Sequence, residues 1–349
     1  MQTVSPSTPS TPTSPVAGAL YGLALGDALA APTEFMQFAD IEHRYGPEGP
    51  AEPVGDPARV TDDTQLALAV GEALLAVGGA GPLTPERVEA ELRRRYVEWM
   101  YSPENNRAPG LACTRACQAL ADGTRWQQAS VIGSKGCGAN MRVAPVGLLP
   151  GVSGETRAGL AQFQAALTHG HPTGLAAAEL TALAVCVLAV GCPPGELLTL
   201  LRGHAGTQRH CYHHDWLGDL WQQAGAPSPE AYIEAGWAEC DQALARVEAA
   251  LAGADRFADP CLATGEGWIA EEALATGLYC FLAWPEQPVA AIRRAAFSGG
   301  DSDSIACLAG AFAGASRGLA GWPADWVARI EYRDRIQRLV DAWEPVFPS

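Results

Sequence analysis

The stretch that decides the fold runs Thr61-Asp62-Asp63-Thr64-Gln65-Leu66-Ala67-Leu68-Ala69-Val70-Gly71-Glu72-Ala73-Leu74-Leu75-Ala76-Val77. Leu66, Val70, Leu74 and Val77 recur at helical spacing, and the alanines between them favour helix. The Thr-Asp-Asp start reads as a helix N-terminus, where side-chain oxygens cap free N–H groups and carboxylates are stabilised. The same pattern recurs outward along the chain. Ala17–Ala31, Leu175–Val190, Glu230–Leu251 and Trp268–Leu282 read as helices, and Ile305, Leu308 and Phe312 mark another. Glycine and proline fall mainly between these segments, at 78–85, 103–110, 191–195, 225–229 and 284–288. There is no convincing alternating strand pattern, no fixed-period repeat and no linker after residue 16. The expectation is an all-α chain with a Ser/Thr/Pro tail over 1–15, disordered, and one helical domain over 16–345.

The 349 residues are 48% hydrophobic and 18% charged, enough to bury a large core without disulfides or metal. The net charge of −16 argues against a nucleic-acid-binding face, which needs basic residues. Lys135 is the only lysine among 23 basic residues. Ten cysteines form no CxxC pair; Cys113 and Cys117 stand one helical turn apart, and most of the others sit in apolar runs. Reduced thiols and a cytoplasmic location are expected, since residues 1–15 lack a basic start and an apolar stretch. The apolar run Leu175–Cys192 carries Glu179 and Thr181 and reads as a buried helix rather than a membrane span.

Chemistry concentrates in a few places. Thr61-Asp62-Asp63-Thr64 and Gly299-Gly300-Asp301-Ser302-Asp303-Ser304 each put two aspartates at a helix start, and Glu34 follows Gly26-Asp27-Ala28-Leu29-Ala30-Ala31-Pro32-Thr33. Capping accounts for one aspartate per helix. A second repels the first unless both surround something positive, and a hard divalent cation takes such oxygen ligands. On spacing alone, capping and metal binding stand level. The loop Gly133-Ser134-Lys135-Gly136-Cys137-Gly138-Ala139-Asn140-Met141-Arg142 could bring backbone N–H groups to phosphate oxygens, or be a plain turn. Thr168-His169-Gly170-His171-Pro172 opens an apolar helix, where a histidine usually caps or packs. His204, His210, His213 and His214, with Cys211 and Asp215, could mimic a transition-metal site, but the spacing fits no zinc pattern and a surface loop is the simpler reading.

Taken together and in order, these segments resemble the ADP-ribosylhydrolase family, which includes the dinitrogenase-reductase-activating glycohydrolases. The resemblance runs from about residue 16 to 340. It is carried by Gly18–Leu29 with Glu34, Thr61–Thr64, Gly138–Pro145, Thr168–Pro172, Gly265-Glu266-Gly267-Trp268, Glu271–Leu274 and Gly299–Ser304. It implies a single orthogonal helical bundle with two divalent cations, Mg²⁺ or Mn²⁺, in a cleft. It implies Thr61, Asp62, Asp63, Asp301, Asp303 and Ser304 as metal ligands, with Glu34 a further one. Ser304 stands where the family often has threonine. The resemblance also implies that Gly133, Ser134, Gly136, Gly138 and Met141 cradle a diphosphate, that His169 lies near the adenosine-side ribose or the phosphates, and that Trp268 borders the ligand. In one place the chain departs from the pattern. Nitrogenase-type members carry an acidic residue two positions before a loop glycine, and here Arg107-Ala108-Pro109-Gly110 has alanine.

The activity so implied is hydrolysis of the glycosidic bond between ADP-ribose and an acceptor, arginine first, on an ADP-ribosylated protein or small molecule. Asp62 or Asp63 would orient or deprotonate the water, with Glu34 the alternative base. No membrane partner is implied, and nucleic acid enters only as a modified substrate. Two other readings stand beside it: a non-catalytic ADP-ribose or nucleotide binder on the same scaffold, and a two-metal hydrolase of another substrate.

Overall fold

Two helices from opposite ends of the sequence, Pro15–Ala30 and Ser302–Arg317, lie antiparallel with their backbones in contact. Glycine every fourth residue makes this possible. A Cβ on Gly18 would sit 2.2 Å from the Gly314 carbonyl oxygen, one on Gly22 2.3 Å from that of Gly310, and one on Gly26 2.0 Å from that of Ala306. The close approach in the computed structural model thus depends on residues without a Cβ. The structure describes residues 14–253 and 255–348. Among them there are helices and isolated β-bridges but no strand.

Around this pair the other helices form an all-α bundle. Gly154–Ala166 packs on Pro172–Ala189, and Pro229–Gly253 packs on both Pro172–Ala189 and Ala270–Ala283. Asp62–Ala80 is held between Pro85–Met100 and the C-terminal helix Arg333–Val346. One continuous apolar cluster runs from Ala17 to Phe347. The expected helices are present, with ends shifted by one to three residues. The first begins at Pro15, capped by the Ser14 hydroxyl, so those two residues are helical structure rather than tail. Residues 1–13 of the expected disordered tail lie outside the described residues.

Pro172–Ala189 is long and apolar enough to cross a membrane, but 72% of it is buried inside the protein. Glu179, in its middle, accepts hydrogen bonds from Gln162 (2.6 Å), His204 (2.6 Å) and His213 (3.4 Å). This differs from the surface-loop reading of the histidine-rich segment. His204 belongs to the helix Pro194–Gln208, and His213 is buried, because a carboxylate inside an apolar helix needs polar partners brought to it.

Because the two central helices are antiparallel, the end of the first, carrying Asp27 and then Glu34, meets the start of the second, carrying Asp301 and Asp303. Thr33 fastens that junction, its hydroxyl donating to the Ala296 carbonyl (2.8 Å) and lying 3.0 Å from the Ser302 hydroxyl.

Candidate metal centre and binding cleft

Asp27 is the only charged residue in the first helix and is fully buried. Its carboxylate accepts from the backbone N–H groups of Thr61 (2.9 and 3.0 Å) and Thr64 (3.1 Å). It therefore caps the helix Asp62–Ala80 from outside that helix and fixes the Thr-Asp-Asp turn. The Thr61 hydroxyl accepts from the Asp63 N–H (3.3 Å) in the same turn. The second acidic turn is fixed as tightly. The Asp301 N–H donates to the Glu266 carbonyl (2.7 Å), and a Cβ on Gly300 would lie 1.9 Å from that oxygen. Gly300 is thus required by the passing segment Gly265-Glu266-Gly267, while a Cβ on Gly299 would lie 2.7 Å from Asp259 Oδ2.

Both turns open on one cavity of about 300 Å³. Twelve of the residues expected at the site line it: Glu34, Asp62, Asp63, Ser134, Gly136, Gly138, Met141, His169, Trp268, Asp301, Asp303 and Ser304. Thr61 is buried in the capping turn and Gly133 is exposed, and neither lines the cavity. A larger hollow of about 700 Å³ lies elsewhere, beside the helices Pro194–Gln208 and Pro229–Gly253. Its arginines are already matched, Arg202 to Asp241 and Glu248 and Arg209 to Glu234, so it presents no unmet charge.

Carboxyl oxygens of Glu34, Asp301 and Asp303 lie within 4.8 Å of one another. Asp62 and Asp63 face them, and Asp27 is behind. None of these six makes an ion pair among the described residues. Burial, reinforced by the Asp303 charge, pushes Asp62 up to about 8, Glu34 up to about 10 and Asp27 up to about 7. The same two causes raise Asp63 and Asp301 well above the carboxylate range. The buried Oδ2 of Asp63 has no hydrogen-bond partner. Crowded carboxylates with an orphaned oxygen need protons or cations, and an all-carboxylate donor set at this spacing suits hard divalent ions. Glu34, Asp62, Asp63, Asp301 and Asp303 are the residues that could hold them.

The opposite wall is the glycine loop, held between two neighbours. The Val131 N–H donates to the Thr168 carbonyl (3.0 Å), the Cys137 N–H to Trp268 (3.2 Å), and the Ala270 N–H to Lys135 (2.8 Å). The loop's cations face away from the cavity. The Lys135 ammonium pairs with Glu239 (2.7 Å) and Glu271. The fully buried Arg142 donates to the carbonyls of Gly138 (2.9 Å) and Gln164 (2.8 Å) and to the Thr168 hydroxyl (2.8 Å), and stacks on Tyr96. They shape the loop and leave the cavity to its backbone and to His169. Burial, aided by Arg142, pushes His169 down to about 3, so its ring is neutral. Its Nδ1 lies 2.8 Å from the Thr168 hydroxyl, which leaves Nε2 for the Gly136–Gly138 side.

Several lining residues were not predicted. Phe35, 63% exposed, stacks on Trp268 at 5.5 Å across the mouth. Ala108, Gly110, Leu111, Ala112 and Cys113 complete the rim, so the departure at Ala108 falls on the cavity wall. Cys137 reaches the acidic group itself: its thiol donates to Asp301 Oδ2 at 2.7 Å and lies 3.4 Å from the Ser304 hydroxyl. Asp27 carried the clearest overlooked signal, a lone carboxylate in a helix otherwise built from apolar residues and glycine.

The sequence model of ADP-ribosylglycohydrolase matches residues 8–348. An uncharacterized protein of Archaeoglobus fulgidus is 27% identical over 92% of both chains. The ADP-ribosylhydrolase ARH3 of Homo sapiens is 27% identical over 95% of this chain and 93% of its own. The ADP-ribosyl-[dinitrogen reductase] glycohydrolase of Rhodospirillum rubrum is 32% identical over 46% of this chain and 53% of its own. Among solved structures, an ADP-ribosylglycohydrolase-related protein complex superposes with a TM-score of 0.66 at 25% identity, covering 96% of this chain and 98% of the other. With its acidic turns and glycine loop facing each other across one cleft, and a family match over nearly its whole length, the chain belongs to the ADP-ribosylglycohydrolase family.

Proposed function

We propose that this protein hydrolyses the glycosidic bond between the ribose of an ADP-ribosyl group and an acceptor, with divalent cations held by Glu34, Asp62, Asp63, Asp301 and Asp303. The observation that carries the reading is the meeting, in one cleft, of unpaired carboxylates from three distant segments with a glycine loop and a neutral histidine. Bound divalent cations would supply Lewis acidity toward ribose hydroxyls and an attacking water. Magnesium or manganese and a count of two are the proposed occupancy, supported by the hard oxygen donor set.

The chain's own residues divide the work. The N–H groups of Ser134, Cys137, Asn140 and Met141 already donate to carbonyls, so those of Gly136 and Gly138 bind the diphosphate remote from the reacting carbon. Neutral His169 offers Nε2 to a ribose hydroxyl or phosphate oxygen without adding charge. Asp62 or Asp63 orients the water and takes its proton as the ribose carbon gains oxocarbenium character. Glu34, the one partly exposed carboxylate of the set, is the alternative base. Arginine is the first acceptor to try. ADP-ribosylated proteins and small ADP-ribosyl conjugates are the proposed substrates. Ten free cysteines suit a reducing compartment, in keeping with a cytoplasmic location.

The test is mass spectrometry of products from defined ADP-ribosyl conjugates on arginine, serine, a base and a small molecule, with Mg²⁺, with Mn²⁺ and with excess EDTA. ADP-ribose should be released in a metal-dependent way, arginine conjugate first. Full turnover in EDTA would overturn the cation assignment.

A further inference from the structure

Hard oxygen donors do not account for everything that faces the acidic group. Cys137, on the glycine loop, holds its sulfur 2.7 Å from Asp301 Oδ2 and 3.4 Å from the Ser304 hydroxyl. Donors sharing one zinc-sized ion lie about 3.1–3.6 Å apart for one sulfur and one oxygen, so small shifts let Cys137 and Asp301 bind a single cation. Asp63 Oδ2, orphaned and buried in the same cavity, is a further open donor. Two other nearby thiols are engaged differently, the Cys113 sulfur 3.6 Å from an Arg142 nitrogen and the Cys307 thiol donating to the Met141 carbonyl at 3.4 Å.

From this geometry we infer that Cys137 is a sulfur ligand of the centre, giving the Asp301 side a mixed oxygen–sulfur donor set that selects borderline and soft divalent cations such as Zn²⁺, Co²⁺ and Cd²⁺. The inference rests on the acidic group being a cation site. When such an ion binds, a sulfur–metal bond forms and the thiol proton leaves to solvent, with no change of oxidation state. With Mg²⁺ the thiol stays protonated and keeps its hydrogen bond to Asp301, because magnesium prefers oxygen and water. One centre therefore has two loading modes. In the second, the loop that faces the ligand is tied directly to the cation.

The experiment titrates the full chain with Co²⁺ or Cd²⁺ alone and reads the near-ultraviolet sulfur-to-metal charge-transfer absorption. The band should form in the parent protein, vanish in Cys137→Ser and in Asp301→Asn, and persist in Cys113→Ser. Competition against Mn²⁺, read from its paramagnetic resonance signal, should show Cd²⁺ affinity falling at least about tenfold in Cys137→Ser, since even the loss of an outer-shell partner costs that much. Mg²⁺ affinity should change by less than about threefold. No band in the parent, a band that survives Cys137→Ser, or equal Cd²⁺ affinity in the two proteins overturns the inference. If Mn²⁺ binds normally while the band is missing, only the sulfur assignment falls. If Mn²⁺ does not bind at all, the cation site falls with it.

Discussion

Two places in this protein bury carboxylates, and they do so in opposite ways. Glu179 lies inside an apolar helix with Gln162, His204 and His213 around it, and those hydrogen bonds hold its carboxyl below the usual range despite burial. The group formed by Asp27, Glu34, Asp62, Asp63, Asp301 and Asp303 has no histidine or glutamine partner, and burial with mutual repulsion drives its members upward. A buried carboxylate alone does not mark a site. The unmet charge does, because only an external ion or ligand can meet it.

The most severe test of that contrast is Asp303→Asn, which removes the charge common to the raised groups. Turnover should fall by about a thousandfold or more, while circular dichroism stays native. Should the variant retain parental turnover, the acidic group is no reaction centre. Glu179→Ala should do the reverse. It strips the partner from two histidines and a glutamine, so stability in urea should fall by about 3–5 kcal/mol, with turnover per folded molecule unchanged. Asp27→Asn probes the boundary between the two kinds of site, since Asp27 serves the Thr-Asp-Asp turn through hydrogen bonds. Metal affinity by calorimetry should weaken about 10–100-fold, less than for direct loss of a ligand.

The smallest expected effect is on pH dependence, and its sign separates the two regions. Carboxyls raised in the folded state bind protons more tightly there than when unfolded. Without metal, their contribution is therefore lost as pH climbs from about 4 through the folded values of about 7 to 8 for Asp27 and Asp62. In EDTA the melting temperature should thus rise on acidification from pH 8 to 6, and saturating Mg²⁺ or Mn²⁺ should flatten that rise. Glu179, lowered on folding, behaves oppositely. Its contribution is complete above its ordinary value of 4.5 and is lost as pH falls below it. A metal-free protein that loses stability between pH 8 and 6 would contradict the reading of the acidic group.

Much of this was legible in the chain. Periodic apolar residues located the helices, and doubled aspartates at two helix starts marked the acidic turns, because a cap explains one such charge and not two. What escaped notice depends on neighbours distant in sequence. Asp27 looks like an intruder in a core helix until the turn it caps arrives from residues 61–64. His204 and His213 lie near each other in a polar stretch, yet their partner Glu179 belongs to an apolar run read separately. Lys135 and Arg142 belong to the glycine loop by sequence, but their side chains face Glu239 and Glu271 or buried carbonyls. Cys137 carries no pattern of its own; only the fold brings its sulfur to Asp301.

The glycine-lined pairing of Pro15–Ala30 with Ser302–Arg317 also sets a schedule for biosynthesis. A growing chain presents its first helix early and waits for the partner encoded near the other end, at about 5–20 residues per second. Contacts so widely separated make for slow, late assembly. Until residues 301–317 leave the ribosome, two of the five acidic donors are missing and an apolar, glycine-striped helix lacks its main partner, so nascent chains should depend on chaperones more than their final stability suggests.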